Sequence, residues 1–304
     1  MPYVPVSPPQ AGRVADTAER RWAAILEARP DLEPALILQR RLIALVCGGS
    51  DAIGVAGLPR LSLPPRYLAA KLRQGVPALA DEPIPVPVAA LRPVLMELSG
   101  ALAGGGAGAA ADHIRAAIDS GDIEPASLLA ASLARDQHAI RTGAVHRGLA
   151  PDLVWLIAEL AISPFAHALQ RSLFSQDGVA DALAQWNRGY CPACGSWPAL
   201  AEVIGGHRTM RCSFCASAWE LTTYACVHCE EVGEPFVTAA PDRERTDRRL
   251  ELCRTCGTYL KTVDVPELSP FPLLAIADLE TMDLDVAAME NNYRRPELKT
   301  FTKR

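Results

Sequence analysis

The sequence predicts an α+β protein: a mostly helical N-terminal domain, two tandem four-cysteine ribbons and a C-terminal helical tail. Three observations carry that prediction. Apolar residues recur at helical spacing through most of the chain up to Phe174. Four Cys-x-x-Cys pairs then crowd the segment from Cys191 to Cys256, separated by short runs of strand character. Finally Leu279, Met282, Val286, Met289 and Tyr293 step at three- and four-residue intervals, with Asp278, Asp283, Asp285 and Glu290 around them.

The elements follow in order. Residues 1–12 are proline-rich at their start and read as a disordered N-terminus; a helical domain spans 13–188. Val14, Ala18, Trp22 and Leu26 share a helix face that ends at Arg29-Pro30, and a second apolar stretch, Ala35–Cys47, stops at Gly48-Gly49. Prolines break residues 50–93, leaving room for a short helix at Pro65–Gln74 and a polyproline-like run at Pro83, Pro85 and Pro87. Helices are then expected at Val94–Ala103, Ala110–Ile118, Pro125–Thr142 and Pro151–Phe174, the last bent at Pro164. The glycine-rich stretch Ala103–Gly108 lacks the Gly-Lys-Ser/Thr ending of a phosphate loop and reads as a linker.

Strands are expected at Ala199–Ile204, Arg208–Cys212, Ala218–Tyr224, Pro235–Ala239 and Thr258–Val265, with a charged turn from Asp242 to Arg249. The pairs are Cys191/Cys194, Cys212/Cys215, Cys226/Cys229 and Cys253/Cys256, with 17, 10 and 23 residues between them. Two residues between thiolates let both sulfurs turn toward one point, and two such pairs complete a tetrahedron around zinc or iron. Sequential pairing gives two rubredoxin-like ribbons, 189–224 and 225–266, followed by a helical tail, 267–304. Cross-bracing, first pair with third and second with fourth, is the alternative. A thioredoxin-like redox pair needs a single motif beside a βαβ unit, and an iron–sulfur cluster is a further alternative.

Gly195 and Gly257 follow the second cysteine of their pairs, where a positive φ is useful. Arg208, Arg211, Arg254 and Lys261 lie close enough in sequence to offset thiolate charge. His207 and His228 read as exposed turn residues, His167 as a core histidine and Cys47 as a buried small hydrophobe at a helix end.

Bulk properties exclude several classes. A net charge of -5 speaks against general nucleic-acid binding, and Asp242, Glu244 and Asp247 dilute Arg243, Arg245, Arg248 and Arg249. The start lacks a cationic region followed by an apolar core, so the expected compartment is reducing and cytoplasmic, where cysteine pairs hold metal. Leu153–Leu169 is apolar but short for a span and contains Pro164, so no membrane insertion is expected. No nucleophile–base constellation stands out, so an enzyme is not expected.

These residues resemble the formate dehydrogenase accessory (formation) protein family. The resemblance rests on Cys191-Pro-Ala-Cys-Gly-Ser-Trp-Pro198, on Arg208-Thr-Met-Arg-Cys-Ser-Phe-Cys215 with Trp219, and on Cys226-Val-His-Cys229. Cys253-Arg-Thr-Cys-Gly-Thr-Tyr-Leu-Lys261 and the tail Asp278–Asp285 with Tyr293-Arg-Arg295 complete it. It implies a cytoplasmic, iron-binding accessory protein with rubredoxin-type sites at the eight cysteines. The implied partner is the catalytic subunit of respiratory formate dehydrogenase, bound during assembly before twin-arginine export. A rubredoxin-like electron-transfer protein and a nucleic-acid-binding zinc ribbon are the competing readings.

Overall fold

The computed structural model describes residues 3–6, 11–59, 61, 63–240 and 245–299. They form two compact units. One comprises the chain up to Ala23, Pro64–Ala78 and Ser175–Lys299; the other comprises Ala24–Leu63 and Leu79–Phe174. The boundary thus differs from a single helical domain over 13–188, because α3 (Pro65–Arg73) and α9 (Ala180–Ala184) pack on each other beside the cysteines.

The all-helical unit contains α2 (Glu33–Ala56), α4 (Val88–Leu102), α5 (Gly108–Ser120), α6 (Pro125–Leu133), α7 (Gln137–His146) and α8 (Pro151–Phe174). Helix α8 is its axis, touching α2, α4, α5, α6 and α7. From Ala161 to Ala166 it is buried on every side, as a helix apolar all round must be. Pro164 leaves the Leu160 carbonyl without its helical donor, and the Ser163 hydroxyl supplies one at 3.0 Å, so α8 continues through the proline. By length and composition Pro151–Phe174 and Val88–Ser120 are both apolar enough to cross a membrane. The most apolar window of the first is 67% buried, and the second contains the kinked turn Ala103–Ala107, where Gly106 has φ 113°.

Two expectations fail here for physical reasons. Gly48-Gly49 does not stop α2: Gly49 is buried, and a Cβ on it would come within 2.9 Å of Pro164 Cγ. The glycine is there for close approach of α2 to α8, and Cys47 consequently sits mid-helix and half-buried. The expected helix Pro125–Thr142 is two helices. Arg135 takes φ 60°, and the Asp136 carboxylate accepts from Ala139 N at 2.9 Å to start α7. Arg135 donates to Glu159 of α8 at 2.8 Å and lies over the Trp155 ring, fixing the corner.

The other unit is built on one six-stranded sheet. Its strands are β1 (Leu200–Ile204), β2 (His207–Arg211), β3 (Ala218–Glu220), β4 (Phe236–Ala239), β5 (Arg248–Cys253) and β6 (Thr258–Asp264), in the order β3-β2-β1-β6-β5-β4. Each ribbon is an antiparallel meander, and parallel pairing of β1 with β6, Leu200 opposite Lys261, fuses the two. Gly205 and Gly206, both at positive φ, make the two-residue turn of the β1–β2 hairpin. The expected disordered start is in part a seventh, strand-like segment: Tyr3 bridges Trp219, and Val4 N donates to Ala218 O at 3.0 Å. Strand β5 takes up the last two residues of the expected charged turn, Arg248 and Arg249. Arg248 donates to the Glu280 carbonyl at 2.5 Å and Arg249 to Asp264, while Asp242, Arg243 and Glu244 lie outside the described residues.

The tail is two helices, α10 (Phe271–Glu280) and α11 (Met282–Glu290), parted at Thr281. Val286 and Met289 are exposed; Leu284 and Ala288 instead pack with Leu250 and Tyr259, and Leu274 and Ala277 with Leu200. Two buried ionic groups pin this layer to the sheet. Glu202 of β1 pairs with Arg211 of β2, both side chains fully buried, and each also bonds the Ser269 backbone. Lys261 of β6, equally buried, reaches Asp278 and Asp285 at 2.7 Å; Arg295 bonds the same two carboxylates, and Tyr259 donates to Asp285 at 2.6 Å.

Glu202→Ala should strand the Arg211 charge in the core and cost about 3–5 kcal/mol of stability, read by urea denaturation; a loss below about 1 kcal/mol would mean water reaches Arg211. Burial pushes the Asp285 carboxyl up, but Lys261, Tyr259 and Arg295 together outweigh it, and its pKa lies below the usual 3.8. The stability from ionised Asp285 is therefore full above the ordinary carboxylate range and lost as pH falls through the lowered value. Asp285→Asn should be less stable than the parent at pH 7 and show a flatter acid limb in a pH series of thermal melts.

Candidate metal centres

Each cysteine pair is one copy of the same backbone turn. The residue after the second cysteine has positive φ in all four: Gly195 79°, Ala216 59°, Glu230 65° and Gly257 67°. Its N–H donates to the carbonyl of the first cysteine at 2.9 Å in every copy. Glycine does this freely; Ala216 and Glu230 do it against a cost of about 1–2 kcal/mol each, which other contacts of the turn must offset. In the first three copies the first cysteine's N–H then closes the loop on Ser196 O, Ser217 O and Glu231 O at 2.8–3.0 Å.

The turns bring the sulfurs together sequentially, not cross-braced. Cys191, Cys194, Cys212 and Cys215 form one group, and Cys226, Cys229, Cys253 and Cys256 the other, with all ligand atoms of a group within 4.8 Å of one another. In the first group Cys191 and Cys215 sulfurs are 3.4 Å apart and Cys194 and Cys212 3.6 Å. In the second, Cys226 and Cys256 are 3.7 Å apart and Cys229 and Cys253 3.5 Å. Four sulfurs about 2.3 Å from one ion lie about 3.8 Å apart in a regular tetrahedron, whereas a disulfide needs about 2.05 Å. A cluster would hold sulfurs on different irons further apart. The donor sets fit one ion each.

Electrostatics leads the same way. Burial pushes the Cys191, Cys212 and Cys215 thiols well above their ordinary pKa, and burial pushes Cys226 up strongly and Cys229 up to about 11. Such sulfurs become thiolates by trading protons for a cation. The basic residues near them are committed elsewhere: Arg211 to Glu202, Lys261 to its aspartates, and Arg208 to Glu251 at 2.7 Å. Arg254 is exposed on its turn. Arg208, Arg211 and Lys261 therefore pair first with carboxylates, and Arg211 also interacts electrostatically with Cys212.

The surroundings differ from expectation at the histidines as well. His207 is exposed at the start of β2, as are His113, His138 and His146, and His167 is buried on α8. His228 is largely buried rather than exposed, with its ring edge-on to Trp197 at 4.9 Å. Burial lowers its pKa to about 4, against an opposing Tyr259 backbone contact, so the ring is neutral. Trp197 in turn meets Tyr190, and Tyr190 meets Trp186, linking the third knuckle to the first through aromatic edges. Gly189 lies so close to Val227 that a Cβ would fall 1.6 Å from its carbonyl oxygen. The Pro64–Ala78 segment adds Ala78 N to Pro192 O at 2.8 Å and Gly75 O to the Tyr190 hydroxyl at 2.7 Å. None of these supports was predicted; Gly189, two residues before a Cys pair, was the one signal available.

A hydroxyl two residues beyond the second cysteine was likewise legible but unread. Ser196, Ser217 and Thr258 place hydroxyls 3.3, 3.2 and 2.9 Å from the Cys194, Cys215 and Cys256 sulfurs.

Two four-cysteine groups on one fused ribbon sheet could each hold a metal ion through cysteine alone. No family model matches the chain. Protein FdhE of an Escherichia coli strain is 34% identical over 128 residues, 41% of this chain and 41% of that protein. The Shigella boydii FdhE is 33% identical over the same span, so the chain is matched over about two fifths of the length of these curated relatives. The crystal structure of the FdhE protein from Pseudomonas aeruginosa shares the fold, with a TM-score of 0.60 over 98% of both chains at 23% identity. The chain is thus similar in sequence to the FdhE proteins over about two fifths of its length and shares the fold of one of them.

Cys191→Ser with Cys194→Ser should remove one metal equivalent, and Cys253→Ser with Cys256→Ser the other, by elemental analysis of the folded variants. Loss of both equivalents from either variant would mean the sites are not independent.

Proposed function

We propose that this chain is a cytoplasmic accessory protein that binds the catalytic subunit of a formate dehydrogenase and is needed for its assembly before export. In the same reading Cys191, Cys194, Cys212 and Cys215 hold one metal ion, and Cys226, Cys229, Cys253 and Cys256 the other. Iron of the rubredoxin type is favoured, and zinc is accepted by the same donors. The observation that carries the reading is the pair of four-sulfur groups fused into one sheet in a chain similar to the FdhE proteins. Such ions supply folding energy to small modules with little core, and a rigid sheet bearing them suits a contact with a protein client. The charged segment before β6 offers such a client few free arginines, since Arg248 and Arg249 are tied into the tail and sheet.

An electron-transfer role is the second reading, and one observation favours it: Cys229 is exposed and Cys256 half-exposed. Metal identity and reduction potential of anaerobically purified protein separate the two, since electron transfer requires iron with a reversible couple.

For the leading reading, pull-down with purified catalytic subunit should recover a complex, and the protein alone should not turn over formate. The Cys191→Ser, Cys194→Ser variant should bind the subunit more weakly. Absence of a complex both with and without oxygen, together with undiminished formate dehydrogenase activity in a deletion strain, would overturn it.

A further inference from the structure

The two four-cysteine groups differ in two independent ways, both at the Cys229 corner. In the first, Cys191, Cys212 and Cys215 have no exposed surface and Cys194 only 4%. In the second, Cys226 and Cys253 are buried, but Cys229 is exposed and Cys256 intermediate. The hydroxyl beside the second cysteine is the next difference. Ser196, Ser217 and Thr258 supply it to Cys194, Cys215 and Cys256, whereas Glu231 stands at that position after Cys229. The Glu231 carboxylate turns away from the sulfur to accept from Val232 N, Gly233 N and the Thr255 hydroxyl at 2.8–3.0 Å.

We propose that the second site exchanges its metal with the surroundings through the Cys229 face, while the first keeps its ion. This rests on the reading that both groups bind metal, and adds a division of labour between them. A closed tetrathiolate site resists substitution because no donor or competing ion can reach the metal before a ligand leaves. At the second site the path to the metal is open. Cys229 is also the sulfur lacking the neighbouring hydroxyl that orients and stabilises a thiolate. Exchange is ligand substitution: the Cys229 sulfur–metal bond breaks as the bond to an incoming donor forms, the sulfur keeps its electron pair and the metal its oxidation state. Glu231, whose carboxylate accepts only from neutral donors, gives this rim negative charge that favours approach of a divalent cation, while Glu230 pairs with Arg188 at 3.7 Å. The exchanging species is thus a divalent thiophilic cation such as zinc or ferrous iron.

The full chain loaded with two equivalents of zinc is mixed with excess 4-(2-pyridylazo)resorcinol, and release is followed by absorbance. One equivalent should leave at least tenfold faster than the other, and Cys229→Ser should bind one equivalent and lack the fast phase. In parallel, iodoacetamide footprinting of the loaded wild type, read by mass spectrometry, should label Cys229 and Cys256 before Cys191, Cys194, Cys212 and Cys215. A single rate for both equivalents with uniform labelling would overturn the proposal, as would a fast phase that survives Cys229→Ser. Fewer than two equivalents bound at the outset would instead sink the underlying two-ion reading.

Discussion

The convergence of four sulfurs within 4.8 Å, twice over, is the constraint on which the cysteine-bearing unit depends. In the first group the buried thiols cannot ionise together without a cation, because desolvation and mutual repulsion both favour the protonated form. The backbone sets the sulfur positions by itself. The same turn occurs four times, closed by the same 2.9 Å hydrogen bond and the same positive φ. Where glycine would be easiest, two copies carry Ala216 and Glu230, so the turn is held by its hydrogen bonds and sulfur positions rather than by backbone preference alone.

Around this module, charge is handled by pairing rather than by long-range compensation. Glu202 with Arg211, and Lys261 with Asp278 and Asp285, consume the cations nearest in sequence to the cysteines. Burying such pairs adds little net stability but makes any other arrangement costly, since a slipped strand would leave a bare charge in the core. The parallel pairing of β1 with β6 places Leu200 opposite Lys261, and both ionic groups then fix the loop and helices that follow β6 to that register. Register specification, not raw stability, is the physical use of these groups.

The cysteine pattern made the ribbons legible because ligand spacing is local: two residues between thiolates and a hairpin between pairs. Strands whose residues alternate were also legible. What escaped depended on partners distant in sequence. Gly48-Gly49 reads as a stop, yet Gly49 is the place where Pro164 comes close. Arg248 and Arg249 read as a solvated turn because their acceptors, Glu280 and Asp264, lie beyond any local window. The tail misled by periodicity: Val286 and Met289 fit a helical stripe, but the break at Thr281 rotates α11 so that Leu284 and Ala288 face the sheet. Fusion of the ribbons into one sheet has no sequence signal, because parallel pairing joins strands from opposite ends of the module.

The fused sheet also explains how two centres can be supported together yet differ in access. Gly189 against the Val227 backbone, and Trp197 edge-on to His228, tie the first knuckle to the third, so the second site is braced on its Cys226 side. Its other side, bearing Cys229, has a carboxylate in place of a hydroxyl and faces solvent. A symmetric duplication of one ribbon would give two equivalent sites. The structure departs from that symmetry at one corner only, and it does so through side chains that the turn itself does not require. The backbone of the third turn closes as the others do, with Glu230 N on Cys226 O. Since the fold would tolerate a serine after Glu230 as it does after Gly195, the open face reflects the local side chains and not a limit of the architecture.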